Sequence, residues 1–167
     1  MFILVDFDHT IANSFWRDSM IGTVSWDEYH EQSKHDKPFW NIVQLINTLW
    51  YGGHTIIGVT GRTEKHRKLT TNWLLKHDIN IDEMLMRPDD VFLKNAEMKV
   101  KMVEDRFKKD FRNIGCLIDD NEETILAFFN LGITTLQIRN INGEHNNRIG
   151  NGSKNSGGGS PNNEGKK

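Results

Sequence analysis

Two pairs of aspartates stand where apolar segments of the chain end. Asp6 and Asp8 follow the apolar residues 2–5, and Asp119 and Asp120 close a later apolar segment. Ionised carboxylates beside a hydrophobic core cost free energy unless a cation compensates them, and close like charges raise one another's pKa. Their oxygen atoms suit a hard divalent ion such as Mg²⁺. We therefore predict that the four aspartates converge on one Mg²⁺ ion.

A hydroxyl, a turn and two cationic side chains accompany these acids. Thr60, Gly61 and Arg62 end another apolar segment. A hydroxyl, exposed backbone N–H groups and a guanidinium together suit a phosphate oxyanion. Lys99 could neutralise both a carboxylate and a phosphoryl group. Each piece alone also has a structural interpretation, namely a loop string, a solvated lysine, or acids that begin the next helix.

Short apolar segments alternate with helical patterns along most of the chain. The apolar segments predict strands at 2–7, 55–60, 83–87, 114–120 and 133–138, and the helical spacings predict helices at 39–51, 64–77, 95–111 and 121–131. This alternation predicts an α/β fold, a Rossmann-like three-layer sandwich with a central parallel sheet. Ligands bind such sheets beyond the carboxyl ends of the strands, where all the residues named above fall.

Two regions lie outside this alternation. Residues 13–38 form an insert after the first strand, and the segment Ser25-Trp26-Asp27-Glu28 fits a capping box, which predicts a short helix there. Residues 141–167 are rich in Gly, Asn and Ser and predict a flexible, disordered tail. We therefore divide the chain into one α/β domain, 1–140, with a small helical cap insert at 13–38, and the tail, 141–167.

Composition limits the class of protein. The chain has 167 residues and a formal net charge of -2, which argues against strong non-specific nucleic-acid binding but leaves room for a local basic site. A single cysteine excludes an intramolecular disulfide and favours a reducing compartment. We find no apolar segment of membrane-spanning length and no signal peptide. We expect a cytoplasmic protein with no membrane contact and no obligate protein partner.

Four segments taken in order resemble a known family. DFDHT (6–10), VTGR (59–62), Lys99 and IDD (118–120) resemble the signature motifs of the haloacid dehalogenase (HAD) superfamily of phosphohydrolases. The resemblance covers roughly residues 1–138 and implies a HAD-like fold. The usual Asp-x-Asp-Gly-Thr motif has His9 in place of its glycine here.

The resemblance also implies roles for the motif residues. Asp6 would be the nucleophile that forms an aspartyl phosphate, and Asp8 would be the general acid and then the general base. Asp8 would also ligate Mg²⁺ through its backbone carbonyl, and Asp119 and Asp120 would complete the metal site. Thr60 would hydrogen-bond a phosphoryl oxygen, and Lys99 would neutralise charge around Asp6 and the phosphoryl group.

A closer resemblance concerns the middle of the chain. Arg62 after Thr-Gly, then Arg87, two acids and Lys94, is similar to the phosphatase domain of phage-type polynucleotide kinase/3′-phosphatases. It implies that Arg62, Arg87 and Lys94, with Thr60 and Gly61, bind the phosphate of a nucleic-acid 3′ end or a nucleotide. It also suggests a phage origin, with function in the host cytoplasm. We find no P-loop motif, so we expect a stand-alone phosphatase.

Several features allow more than one interpretation. The small cap suits a large substrate, and its aromatic residues could either stack on bases or hold the cap to the core. They are Trp16, Trp26, Tyr29, Phe39 and Trp40. The basic residues at 65–68 could steer an anion or form a solvated helix face. Two other functions stay open, a small-molecule 5′- or 3′-(deoxy)nucleotidase and a non-catalytic module that binds phosphorylated ends.

Overall fold

Five parallel strands form the centre of the molecule. The computed structural model describes residues 1–139, and the predicted tail lies outside them. The sheet has the order β5-β4-β1-β6-β7. Its strands are β1 (Phe2–Val5), β4 (Thr55–Thr63), β5 (Glu83–Arg87), β6 (Ile114–Asp119) and β7 (Thr135–Gln137). The order confirms the α/β prediction, because the chain starts in the middle strand and builds outward to both edges.

Helices cover both faces of this sheet. They are α2 (Trp40–Tyr51), α3 (Arg67–Lys76), α4 (Asn95–Phe107) and α5 (Glu122–Asn130). Helices α2 and α3 share one buried cluster with Ile3 and Val5 of β1, whereas α4 and α5 share another with Leu4. Successive residues of a strand face opposite sides, so the continuous apolar β1 is buried on both.

The ends of the helices differ in places from the sequence prediction. Helix α4 ends at Phe107 rather than at residue 111, because Lys108 and Lys109 have positive φ angles of 53° and 63°. The left-handed conformation ends the hydrogen-bond ladder of the helix. Helix α3 begins at Arg67, after a 3₁₀ turn at Glu64–His66. The helix start predicted at residue 64 is thus the start of that turn.

The insert after β1 is a small helical layer tied down by two short strands. Strand β2 (Ala12–Asn13) pairs antiparallel with β3 (Lys37–Pro38) and closes the insert at its base. Between them lie α1 (Trp26–Glu31) and the 3₁₀ helices Phe15–Met20 and Gln32–His35. The predicted capping box is confirmed, since the Glu28 backbone N–H donates to Ser25 Oγ at 3.2 Å and the Ser25 N–H donates to the Glu28 carboxylate. Within residues 1–139, no helix has the length and apolarity needed to cross a membrane.

Candidate active site

A tight turn after β1 carries the first two aspartates. The Phe7 carbonyl accepts the backbone N–H groups of Thr10, Ile11 and Ala12 at 3.2, 2.9 and 2.8 Å. His9 has a φ of 63°, in the left-handed region that favours glycine. This conformation explains why related motifs place glycine here.

The His9 ring contacts two residues of the insert. His9 Nε2 lies 3.0 Å from Asp18 Oδ1, and the ring stacks on Phe15 with 4.4 Å between centroids. Both partners belong to the 3₁₀ helix Phe15–Met20 of the insert. The histidine therefore links the motif turn to the insert, a contact that glycine could not make.

The Asp6 and Asp8 side chains meet different partners. Phe7 stands between them, fully buried, and its ring lies over β4 so closely that a Cβ on Gly58 would be 2.6 Å from it. Asp6 Oδ1 lies 2.6 Å from Lys99 Nζ, whereas Asp8 Oδ1 lies 2.6 Å from Arg62 Nη2. The two acids thus divide the site into two charge clusters.

The first cluster holds a buried ammonium between two carboxylates. Lys99 Nζ donates to Asp6 Oδ1 at 2.6 Å and to Asp119 Oδ2 at 2.7 Å, and all three side chains are buried. Burial alone would lower the pKa of Lys99, but Asp6 and Asp119 raise it, so the ammonium stays charged. Burial raises the pKa of Asp6 although Lys99 opposes it. One lysine therefore does not fully compensate the acids around it.

Three of the predicted metal ligands fit a divalent cation. Asp6, Asp119 and Asp120 each offer a carboxylate oxygen, and these oxygens lie within 4.8 Å of one another. Burial raises the pKa of Asp119 and of Asp120, and neighbouring carboxylates raise it further. A cation would relieve this cost, and carboxylate oxygens are ligands that Mg²⁺ prefers. The residues present therefore fit a Mg²⁺ ion.

The fourth carboxylate does not join this group, so the predicted convergence of four carboxylates is wrong for the Asp8 side chain. Asp8 lies in a second cluster, where Arg17 and Arg62 both donate to its Oδ1 through Nη2. Its predicted role as a metal ligand uses the backbone carbonyl and stays a prediction. Burial alone would raise the pKa of Asp8, but Arg62 and Arg17 hold it well below its usual range. Asp8 is therefore ionised.

A buried aspartate of the insert completes the second cluster. Asp36 Oδ2 accepts from Arg17 Nη2 at 2.9 Å and from Arg62 Nη2 at 3.2 Å. The side chains of Arg17, Arg62 and Asp36 are fully buried. Two guanidiniums thus face two carboxylates, which is the balance that burial of charge requires. We call these three residues, together with Asp8, the arginine network.

Sequence reasoning missed Arg17 and Asp36. Arg17 is the single arginine of residues 13–38, which is a weak signal, and nothing in its spacing from Asp8 shows that the insert folds back over the motif turn. The fold places it there: the Tyr29 ring lies 4.2 Å from the Arg17 guanidinium carbon, and Trp73 Nε1 donates to the Asp36 carbonyl at 2.8 Å. The insert therefore supplies charged groups to the site as well as a cover.

Thr60 and Gly61 lie where the prediction places them, at the end of the buried part of β4. Thr60 is buried, and its Oγ1 accepts the Arg62 backbone N–H at 3.2 Å, which leaves the hydroxyl proton available to a ligand. A Cβ on Gly61 would lie 2.5 Å from Asn95 Oδ1. Glycine at this position thus permits the close approach between β4 and the start of α4.

Arg87 and Lys94 are not drawn into either cluster. The Arg87 guanidinium donates to the carbonyls of Leu93, Val91 and Gly61 at 2.8, 3.2 and 3.3 Å. These bonds fasten the 88–94 loop to the end of β4. Lys94 is exposed immediately before α4. Phosphate binding by Arg87 and by Lys94 stays a prediction, and the hydrogen bonds of Arg87 also position the loop.

The predicted aromatic residues of the cap serve mainly its packing. Tyr29 is buried under Arg17, and Phe39 packs against the core beside α2. Trp16 Nε1 donates to Asp36 Oδ1 at 2.9 Å. Trp26 and Trp40 are 61% and 54% exposed. Three of the five therefore have structural contacts that explain them.

Comparisons with known proteins agree with this geometry. The family model described as the polynucleotide kinase PNKP phosphatase domain matches residues 1–142. No curated protein compared with the chain is significantly similar to it in sequence.

Solved structures share the fold at low sequence identity. A chain of the Pnkp1/Rnl/Hen1 complex superposes with a TM-score of 0.67 at 18% identity, covering 81% of this chain and 45% of that one. A chain of the Pnkp1/Rnl/Hen1 RNA repair complex gives 0.66 at 18%, covering 81% and 41%. This chain thus spans less than half the length of both. A haloacid dehalogenase-like hydrolase from Streptococcus pneumoniae gives 0.57 at 14%, covering 83% and 84%.

The family match extends over most of the chain, including the insert and all four motif segments. The geometry places the motif residues together at the carboxyl edge of the sheet. This chain therefore belongs to the family of polynucleotide kinase PNKP phosphatase domains and is a phosphatase of the haloacid dehalogenase type.

Proposed function

We propose that the chain is a Mg²⁺-dependent phosphomonoesterase that removes phosphate from nucleic-acid 3′ ends. The observation that carries this proposal is the pairing of two charge clusters across Phe7. On one side, the buried ammonium of Lys99 and the carboxylates of Asp119 and Asp120 surround Asp6. On the other side, two buried arginines hold Asp8. A carboxylate nucleophile and a second carboxylate two residues away are what phosphoryl transfer through an aspartyl phosphate requires.

Asp6 is the nucleophile in this proposal. It is an acid beside Lys99, whose ammonium favours the ionised form and would also neutralise an incoming phosphoryl group. The Asp6 carboxylate attacks phosphorus, the bond to the ester oxygen breaks, and an acyl phosphate forms on Asp6. Asp6, Asp119 and Asp120 would hold a Mg²⁺ ion, which would supply charge neutralisation at this site when bound. The Thr60 hydroxyl donates to a phosphoryl oxygen.

The arginine network gives Asp8 two roles in turn. While both arginines bind it, Asp8 is ionised and acts as a base. A phosphate dianion that accepts N–H bonds from the same arginines would weaken their hold on Asp8 and raise its pKa. With its pKa raised, Asp8 takes up a proton from solvent and then donates it to the departing ester oxygen. In the second step it takes a proton from water, and the hydroxide attacks phosphorus to release Asp6 and inorganic phosphate.

Unused donors in the arginine network support phosphate as the ligand. Nη1 of Arg17 and Nη1 of Arg62 are buried and have no hydrogen-bond partner among residues 1–139. Buried guanidinium N–H groups without an acceptor are costly. Phosphate oxygens would supply acceptors of the correct charge.

The choice of a polymer end rests on the family and on the size of the insert. The matched family is a phosphatase domain of polynucleotide kinases, and the structural neighbours include a chain of an RNA repair complex. The insert at 13–38 is small, which leaves room for a substrate that extends beyond the phosphate.

The test compares substrates and variants. Wild-type protein with Mg²⁺ should hydrolyse an aryl phosphate, and a 3′-phosphorylated oligonucleotide should give a higher kcat/KM than 3′- or 5′-mononucleotides. Asp6→Asn should abolish both reactions, whereas Asp105→Asn, on the exposed side of α4, should abolish neither. Faster turnover of mononucleotides would make the chain a nucleotidase. Oligonucleotide binding without any hydrolysis would make it a binding module.

A further inference from the structure

A groove separates the insert from helix α3 on the side of the arginine network. Its volume is about 750 Å³, within the range of about 300–1,000 Å³ that ligand sites occupy. One wall is formed by α1 and the 3₁₀ helix Gln32–His35, and the other by residues 65–76. We call it the cap groove. None of the predicted catalytic residues lines it.

The cap groove is basic in a chain whose formal net charge is -2. Its walls carry Lys34, Lys65, Lys68 and Lys76, against two acids, Asp27 and Glu31. Lys65 forms an ion pair with Asp27 across the mouth of the groove. Among residues 1–139, the other three lysines have no ion-pair partner. The groove therefore has positive charge that no ion pair neutralises, and this charge suits a polyanion.

Two of the lysines lie on one helix face. Lys68, Asn72 and Lys76 are four residues apart on α3 and therefore form a stripe along the groove. At 1.5 Å per residue, the distance from Lys68 to Lys76 is about 12 Å. At the rise of about 3.4 Å per nucleotide in one strand of a duplex, that length spans roughly three to four nucleotides, and it spans fewer nucleotides of an extended single strand. The stripe is matched to a short stretch of phosphodiester backbone rather than to a single phosphate.

The inner end of the cap groove lies against the active site. His66 lines the groove, and its Nδ1 is 2.7 Å from Oγ1 of Thr63, the residue after Arg62. Its ring is 5.3 Å from that of His30 in the insert. Trp73 also lines the groove, and its Nε1 donates a hydrogen bond to the carbonyl of Asp36. Burial lowers the pKa of His66, so the positive charge at neutral pH belongs to the lysines.

We propose that the cap groove binds the phosphodiester backbone of the nucleic-acid strand whose 3′ phosphate occupies the active site. This inference rests on the proposed function and adds to it a binding surface for the polymer. The groove lysines contribute to KM for a polymer and not to the chemical step. Single-stranded nucleic acid is favoured over an acidic protein because Lys68 and Lys76 lie two turns apart on one helix face, a spacing that a continuous phosphodiester backbone can bridge, and because Trp73 and His66 of the lining can contact bases.

The experiment compares two double charge reversals. Lys68→Glu/Lys76→Glu alters the groove, and Lys101→Glu/Arg112→Glu is the matched control, with the same change in net charge at exposed ion pairs elsewhere. The substrates are a 3′-phosphorylated single strand of about 10 nucleotides and an aryl phosphate. We expect the groove variant to raise KM for the oligonucleotide at least tenfold. Its kcat and its aryl phosphate kinetics should stay within twofold of wild type.

The salt dependence supplies a second readout. Each phosphate contact contributes about 0.7 to the slope of log affinity against log salt for a single strand. The groove variant should therefore have a slope for oligonucleotide binding smaller by about 1.4, whereas the control should keep the wild-type slope. Equal changes in the two variants would overturn the proposal, because net charge rather than the groove would then be responsible.

The outcomes separate this inference from the proposed function. Wild-type protein that hydrolyses aryl phosphate, with identical oligonucleotide KM in wild type and groove variant, overturns the groove and leaves the phosphatase intact. Without any hydrolysis, fluorescence anisotropy of an unphosphorylated oligonucleotide still tests the groove. Equal affinity of groove variant and control then overturns it. If the groove variant loses affinity for polyglutamate but not for the oligonucleotide, the occupant is an acidic polypeptide and the proposal is wrong.

Discussion

Removal of Asp36 tests how far the arginine network stabilises the fold. Asp36 accepts hydrogen bonds from three side chains, at 2.9 Å from Trp16 Nε1, 2.9 Å from Arg17 Nη2 and 3.2 Å from Arg62 Nη2. Asp36→Ala leaves two fully buried guanidiniums to share the single carboxylate of Asp8. Breaking a buried ion pair by removing one partner costs about 3–5 kcal/mol. We expect a loss of that size in the free energy of unfolding.

Urea unfolding followed by circular dichroism measures this loss. With a slope of about 1–3 kcal/mol per molar urea, the midpoint should fall by roughly 2 M. The control is Asp105→Ala, which removes an exposed ion pair with Lys101 and should leave the midpoint unchanged. A midpoint shift no larger than that of the control would refute the stabilising role of the network.

A neutral isostere keeps the test usable if the alanine variant does not fold. Burial raises the pKa of Asp36, although Arg17 and Arg62 oppose the shift. A raised pKa means that the folded state accepts the uncharged form of this side chain more readily than the unfolded chain does. Asp36→Asn should therefore destabilise less than Asp36→Ala. The reverse order would contradict the geometry of the network.

Four further perturbations address the rest of the site. Lys99→Met should lower kcat for an aryl phosphate about 10²–10³-fold, and a loss under tenfold would contradict its role beside Asp6. Mg²⁺ at about 100 times its Kd should stabilise the wild type by about 2.7 kcal/mol, and the melting temperature of Asp119→Asn should respond much less. An unmoved wild-type melting temperature would refute the cation site. Burial lowers the pKa of His30 to about 4, so its neutral form stabilises the fold above pH 6.5 and that contribution is lost as pH falls toward 4. The free energy of unfolding of His30→Gln should therefore fall by roughly 3 kcal/mol less than that of the wild type over this pH range. Parallel plots of unfolding free energy against pH for the two proteins would disprove the assignment. Arg87→Gln should speed amide exchange in residues 88–94 while lowering kcat/KM less than tenfold, whereas a far larger loss with unchanged exchange would make Arg87 a phosphate ligand.

Local pattern was enough to find the strands and helices. The apolar residues before Asp6 predict a strand, and the spacing of apolar residues in α2 predicts a helix. Both signals come from residues close together in the chain. The sequence prediction failed where two lysines, Lys108 and Lys109, adopt left-handed conformations that their residue type does not favour. Backbone geometry of that kind is imposed by packing, so residue type did not reveal it.

The motif residues were identifiable, but not all of their partners were. Asp6, Lys99 and Asp119 could be placed together because the carboxyl ends of neighbouring parallel strands meet at one edge. The same argument placed Asp8 with the metal ligands, whereas its side chain lies between Arg17 and Arg62. A strand-alternation rule cannot follow the chain once it leaves the sheet.

The amino-acid sequence alone determined the α/β order of elements, the four motif segments and the acid–lysine chemistry of one charge cluster, because these follow from short-range periodicity and from the fixed edge of a parallel sheet. Only the tertiary structure decided that Asp36 and Arg17 enter the site from the insert, that Arg87 fastens a loop, and that lysines of α3 face the insert across a groove. These contacts join residues that are far apart in the chain. They depend on how the insert packs against the sheet and its helices, and no local sequence pattern encodes that orientation.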